Sequence, residues 1–229
     1  MINTILVPQG AEYQAVYRGL NLVQGCQTQV MAVPMGMESL KKFLQQNCKY
    51  LQKQSQSVLL MGLCGSLNQH YGIGDIVLYQ DCIYQENSQN CHSQLTEYIH
   101  NKLGDQVSLV KGLTCDRVIS LATEKSSLHQ KFAADVVDME GFTFLNFFLP
   151  QVSAAIVRVV SDDSHHDIPD LTTAIGNDGS LQPVPLAKQF IRQPLAAFRL
   201  IRGSLTALKI LETTAYNLAT SHISSHRLG

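Results

Sequence analysis

Two acidic pairs in the sequence are placed where they could do chemistry. Asp138 and Glu140 flank Met139 at the end of the short apolar run Val136–Asp138, and Asp162-Asp163 follows Ser161 at the end of the β-branched run Val152–Val160. Carboxylates are the groups that give and take protons in general acid–base catalysis. Each pair also has a structural explanation. Acidic residues beside a helix start are favoured by its dipole, and Asp162-Asp163 reads as a solvated turn. His165-His166-Asp167 offers metal-ligating types, but adjacent histidines on a loop do not chelate one ion well and no partner spacing accompanies them. The expected reading there is a solvated loop and no metal. Six cysteines (Cys26, Cys48, Cys64, Cys82, Cys91, Cys115) form no CxxC pair and no zinc-like array, which fits reduced thiols in a cytoplasmic protein. Cys64 is set apart by its place in Gly62–Ser66, which reads as a glycine turn after a strand ending at Met61.

These residues need elements to position them. Ile2–Pro8, Gln29–Pro34, Ser57–Met61, Ile76–Tyr84, Val107–Leu113, Val136–Asp138 and Val152–Val160 read as strands. Segments 38–52, 123–131 and 141–148 read as helices, the first with Leu40, Phe43, Leu44 and Leu51 on one face. The strands are continuous apolar runs, so both of their faces are covered. The expected class is α/β: a single domain over 1–229, with a central mixed β-sheet flanked by helices. In such folds ligands bind beyond the carboxyl ends of strands. Gly62–Ser66, Asp138–Glu140 and Ser161–Asp163 all lie at such ends. After Asp163 the sequence turns polar and rich in turns, and beyond Pro194 it is helical again. Phe198, Ile201, Leu205 and Leu208 fall on one face there, with Arg199, Arg202 and Lys209 beside it. Between Asp178 and Glu212 there are five bases and no acid. This is a basic amphipathic helix. It can lie on an anionic bilayer, or its apolar face can pack on the core or on a second subunit.

Composition removes several function classes. With 229 residues and 45% hydrophobic content the chain builds one sizeable core. Only 15% of residues are charged, and the net charge of -1 gives no electrostatic drive toward nucleic acid. No apolar run approaches the roughly 18 residues of a membrane span, and the start MINTILVPQG lacks the basic region of a secretory signal.

Order and combination say more than any single motif. ILVPQGAE, MGLCGSL followed by GIGDIV, then VVDMEG and VRVVSDD together resemble the nucleoside phosphorylase and nucleosidase superfamily, over about residues 2–163. That group includes purine nucleoside phosphorylases and methylthioadenosine/adenosylhomocysteine nucleosidases. The resemblance implies roles residue by residue. Asp162 would protonate N7 of a departing purine, and Glu140 would hold the ribose hydroxyls with Met139 packed on the sugar. Cys64-Gly65 would let backbone come close to base or nucleophile. LTCDRVIS resembles the family's base-pocket strand, so Val118 and Ile119 would flank the purine, with Val118 in place of the usual aromatic. Ser161 completes the SD motif. Cleaving an N-ribosidic bond builds an oxocarbenium-like sugar and a basic leaving group, so an acid at the base is needed, one whose burial keeps it protonated.

Two departures leave the nucleophile open between water and phosphate. Leu63 stands where the family commonly has a serine, and Glu12 is offset from the acidic run that supplies the nucleosidases' general base. Arg18 and Arg117 are candidate phosphate ligands or simple surface residues. No organic cofactor is implied, and inorganic phosphate is a candidate co-substrate. The stretch from Asp167 to Leu208 resembles the tail of hopanoid-associated phosphorylases, which implies an adenine nucleoside bearing a bulky apolar 5′ group of adenosylhopane type. It also implies a homo-oligomer and, through residues 188–211, peripheral membrane contact. The alternatives are a methylthioadenosine/adenosylhomocysteine nucleosidase and a non-catalytic nucleoside-binding protein on the same fold.

Overall fold

Burial sorts the apolar runs into strands. In the computed structural model, which describes residues 2–48, 51, 56–176, 180 and 182–220, all seven expected strands form. They are β1 (Thr4–Pro8), β2 (Gln29–Val33), β3 (Ser57–Ser66), β4 (Ile76–Tyr84), β6 (Val107–Thr114), β7 (Val136–Asp138) and β8 (Ser153–Asp162). The eighth, β5 (Asn87–Asn90), is a polar edge strand paired antiparallel to β4, and its sequence NSQN has no apolar signature. The order is β2-β1-β3-β7-β6-β4-β5, and β8 pairs with both β3 and β4. Strands β3, β7, β6, β4 and β8 therefore close into a ring. The β3–β7 and β4–β8 pairings are antiparallel and the other pairings of the ring are parallel, and the expected mixed α/β sheet flanked by helices is the architecture observed.

The helices are α1 (Ala11–Asn21), α2 (Met37–Gln46), α3 (Ser93–Leu103), α4 (Ala122–Phe132), α5 (Gly141–Phe148), α6 (Pro183–Arg192) and α7 (Pro194–Ala219). Three of them were not legible in the pattern. Helix α1 buries mostly small residues (Ala15, Val16, Gly19, Leu20), α3 buries one aliphatic per turn, and α6 opens with two prolines and has no fully buried residue. Helix α2 stops at Gln46, and after a break at Asn47 the described residues Cys48 and Leu51 are helical again, so the helix expected over 38–52 is interrupted rather than continuous. Residue 52 and residues Asp178 and Gly179 lie outside the described residues.

Gly62–Ser66 was expected to turn after a strand ending at Met61. Instead β3 continues to Ser66, paired with β8 through a register shift between Cys64 and Gly65. Its glycines serve close approach rather than a turn. A Cβ on Gly62 would sit 2.4 Å from both Arg158 Nη1 and Glu12 Oε2, and one on Gly65 would sit 2.8 Å from Asp162 Oδ2. In LTCDRVIS (Leu113–Ser120), expected as a base-pocket strand, only Leu113 and Thr114 belong to a strand, the end of β6, and Cys115–Ser120 is irregular.

The 26-residue helix α7 lays a face of small and aliphatic residues, including Ala196, Gly203, Ala207 and Leu211, against β8 and α1. At Gly203 the helix touches the sheet so closely that a Cβ would lie 2.2 Å from the Ser161 carbonyl oxygen. The face predicted from the sequence pattern is a different one. Phe198 and Leu205 are 65% and 63% exposed. Small residues let a helix come close to the sheet, so the large apolar ones are left pointing elsewhere.

Candidate active site

The cleft forms where the sheet changes partners. One edge of β3 pairs with β1 at Val58–Leu60 and with β7 at Gly65–Ser66. Between those ladders the two neighbours diverge, and the Leu63 amide donates to the Glu12 Oε2 at 2.7 Å instead of to a strand. Here lies a cavity of about 710 Å³, at the ends of β1, β3, β7 and β8. Its inner wall is polar, with Glu12, Asp138, Glu140 and Asp162. Its outer wall is apolar and comes from α6 and α7, including Leu186, Phe190, Leu200 and Leu208.

Every residue expected at the site lines this cavity: Cys64, Gly65, Val118, Ile119, Met139, Glu140, Ser161 and Asp162. Glu140 accepts from the Gly36 amide at 2.7 Å and from Arg158 Nη2 at 3.0 Å. Burial pushes its carboxyl above the ordinary range, although Arg158 pulls the other way. The Ser161 hydroxyl is within hydrogen-bond reach of both the Cys64 carbonyl at 3.2 Å and Asp162 Oδ1 at 3.0 Å, and so fixes the orientation of that carboxylate. Burial also pushes the Cys64 thiol well up, so it stays protonated and acts as a small apolar wall residue.

Asp162 is not in the apolar surroundings expected of a neutral acid. The fully buried Lys125 of α4 donates to its Oδ2 in a close contact and to the Asp163 carbonyl at 2.6 Å. Nothing in TEKSS marks Lys125, because the helix that carries it reads as a surface helix.

Arg158 is the other residue missed. It points into the ring, completely buried, and donates to Asp138 and Glu140 at 3.0 Å each. Burial alone would lower its pKa, but the two carboxylates more than offset this and it remains a guanidinium. A signal was present: an arginine inside the β-branched run VRVV, covered on both faces, must be paired with buried carboxylates. Asp138 also accepts from Thr114 at 2.8 Å and Tyr79 at 3.3 Å, so this carboxylate anchors the ring interior.

Glu12 was expected to be out of place, yet helix α1 carries it to the cavity. The residue is half-buried, but its carboxylate lies in the interior. Burial pushes that carboxyl up to about 7, with Glu140 and Asp138 adding to the shift and Arg158 and the Leu63 amide opposing it. The two candidate phosphate ligands are both committed elsewhere. Arg18 pairs with Glu212 at 2.9 Å and ties α1 to α7 away from the cavity. Arg117 reaches the cavity rim but grips Glu124 through both terminal nitrogens, at 2.5 and 3.2 Å. The His165-His166 segment is exposed, with His166 and the amides of both residues turned back on Asp163.

Residues 15–180 match the phosphorylase superfamily. The chain belongs to that family. No curated protein matches it. Among solved structures it is similar to a putative 5′-methylthioadenosine/S-adenosylhomocysteine nucleosidase from Borrelia burgdorferi bound to adenine, with a TM-score of 0.69, 12% identity, and 95% and 98% of the two chains covered. A Helicobacter pylori 5′-methylthioadenosine nucleosidase mutant with 5′-methylthioadenosine in its active site gives 0.66, 14%, 93% and 98%. The futalosine hydrolase of the same organism gives 0.64, 15%, 93% and 97%. At these identities the likeness is one of fold. In this superfamily member the cavity is completed on its outer side by helices of the same chain.

Proposed function

We propose that the protein is a nucleosidase that hydrolyses the N-glycosidic bond of an adenine nucleoside bearing a bulky apolar 5′ group of adenosylhopane type. One observation carries this reading: a single cavity has Glu12, Glu140 and Asp162 on its inner wall and an apolar wall from α6 and α7 on its outer side. The purine sits near Val118, Ile119 and Asp162, the ribose near Met139 and Glu140, and the 5′ group runs outward along Leu186 and Phe190.

Water is favoured over phosphate by electrostatics. The cations beside the polar wall are already bound to carboxylates: Lys125 to Asp162, Arg158 to Asp138 and Glu140, and Arg117 to Glu124. A dianionic nucleophile among Glu12, Glu140 and Asp162 would meet repulsion at close range in a poorly screened site. A carboxyl titrating near neutrality is suited to take a proton from water. In the reaction Glu12 accepts that proton as the oxygen bonds to the anomeric carbon. The C–N bond breaks, and its electron pair goes to the purine. N7 takes a proton from the Lys125–Asp162 pair, which passes from the ammonium through the Asp162 carboxyl. Glu140 holds the ribose hydroxyls while positive charge builds on the sugar.

A substrate with such a tail partitions into bilayers, so the reading carries a peripheral place at a membrane with it. The test is adenine release with and without phosphate, from adenosine, methylthioadenosine and a 5′-long-alkyl adenosine. The expected outcome is preference for the long chain with no phosphate requirement. Preference for methylthioadenosine would move the protein to the methylthioadenosine nucleosidases, and phosphate dependence would make it a phosphorylase. No release from any substrate would make it a binding protein.

A further inference from the structure

We infer that the outer face of the α6–α7 pair is a seat for an anionic membrane, and that the apolar end of the cavity opens onto that seat so that the nucleoside's 5′ tail passes between lipid and enzyme. The second half rests on the proposed apolar substrate, whereas the first stands on the surface alone.

Three features define the surface. Val184 and Ile191 of α6 are 80% and 81% exposed, and Leu195 and Phe198 of α7 lie open beside them. Lys188, Arg192, Arg199 and Arg202 surround these residues, all exposed and with no ion pair among the described residues. The core does not need this face, because α7 packs inward through Ala196, Gly203 and Ala207. Large exposed aliphatics flanked by bases, on helices docked to the protein by their other side, are what interfacial binding requires.

Charge chooses the occupant. The whole chain has a net charge of -1, yet five bases and no acid fall between Asp178 and Glu212. A second copy seated symmetrically on this face would set bases against bases, whereas an anionic bilayer neutralises them. The oligomer implied by the resemblance then uses another face. No described helix is long and apolar enough to cross a membrane, so the contact is peripheral.

Continuity with the cavity gives the seat its purpose. Ile201 and Leu205 line the cavity and are also 43% and 63% exposed, so the apolar outer wall runs without a break onto the membrane-facing surface. A tail can slide along it without entering water, while adenine and ribose reach the carboxylates.

The experiment uses the full chain with sedimentable vesicles of phosphatidylcholine, alone or mixed with phosphatidylglycerol. Two variants are compared with the wild type: Lys188→Glu/Arg192→Glu/Arg199→Glu/Arg202→Glu and Ile191→Ser/Leu195→Ser/Phe198→Ser. None of these residues lines the cavity. The wild type is expected to sediment with the anionic vesicles and to be released by high salt. The charge variant is expected to lose partition by roughly several hundred-fold, since each base near such a surface is worth roughly five-fold. The serine variant is expected to stay in solution even at low salt. Both should release adenine from a soluble nucleoside at the wild-type rate. Wild-type protein left in the supernatant would overturn the proposal, as would sedimentation of both variants with the vesicles. A wild-type dimer in analytical ultracentrifugation that the serine variant cannot form would also overturn it, because the face would then belong to a second copy. Vesicle binding of this pattern without adenine release would sink the nucleosidase reading and leave the membrane seat standing.

Discussion

At the scale of single residues, the proposed reaction assigns proton handling to two groups that line one cavity. Asp162 lies with Ser161 and Lys125, and Glu12 with the Leu63 amide. Asp162→Asn should lower kcat by about 10²–10⁴-fold while nucleoside affinity, read by equilibrium binding, stays near wild type. Lys125→Met should lower kcat with little change in KM, and Lys125→Arg should restore part of it. Glu12 makes the pH dependence specific. As a base it works ionised, so kcat should rise as pH increases through about 7, and Glu12→Gln should remove both the activity and that limb. The sign for stability is the reverse. The folded carboxyl titrates near 7 against an ordinary 4.5, so between those values the folded state holds more protons than the unfolded one and stability falls as pH rises. Glu12→Gln should therefore unfold at higher denaturant concentration than wild type above about pH 7. The gain is on the order of 1–3 kcal/mol, and it should vanish at acid pH.

At the scale of elements, the ring of strands is tied from within. Arg158 on β8 joins Asp138 at the end of β7 to Glu140 just beyond it, and Tyr79 of β4 and Thr114 of β6 reach the same aspartate. Arg158→Met should cost about 3–5 kcal/mol in chemical denaturation, because it strands two buried carboxylates. The fit between α7 and β8 is equally tight. Gly203→Ala, with its Cβ driven at the Ser161 carbonyl, should cost about 1–3 kcal/mol and lower turnover by shifting the strand end that carries Asp162. Helix α6 lines the cavity instead, where the proposed 5′ group would run. Leu186→Asn with Phe190→Ala should reduce kcat/KM for a long-chain 5′ nucleoside by roughly 10–200-fold and leave adenosine unchanged, since only the tail meets those side chains.

At the scale of the whole molecule, the proposed function rests on a division of surfaces. The superfamily sheet gathers four strand ends into one polar wall, and the last two helices build an apolar wall opposite it and carry that surface outward. Neither part suffices. A polar wall alone fits any purine nucleoside, and an apolar groove alone has no chemistry. Replacing Val184, Ile191, Leu195 and Phe198, the exposed apolar residues of α6 and α7 that stand outside the cavity, by serine should therefore separate the two properties, abolishing vesicle binding without changing hydrolysis of a soluble nucleoside.

The sequence by itself determined the class of fold, seven of the eight strands among the described residues and the positions of the carboxylates at strand ends. Those depend on local apolar runs and on short motifs, which are written along the chain. It could not show β5 or α6, whose residues are polar or proline-rich and whose order comes from neighbours. It also placed a turn where β3 runs on, since glycines needed for close approach read the same as glycines needed for a bend. Only the tertiary structure brought Glu12 to the cavity, paired Lys125 with Asp162, closed Arg158 on Asp138 and Glu140, and left the Phe198 face of α7 open. Each of these is a contact or an exposure across long sequence separations. It is set by how β1 and β7 diverge on β3 and by which helix face is small enough to meet the sheet, and no periodicity in a single segment encodes either.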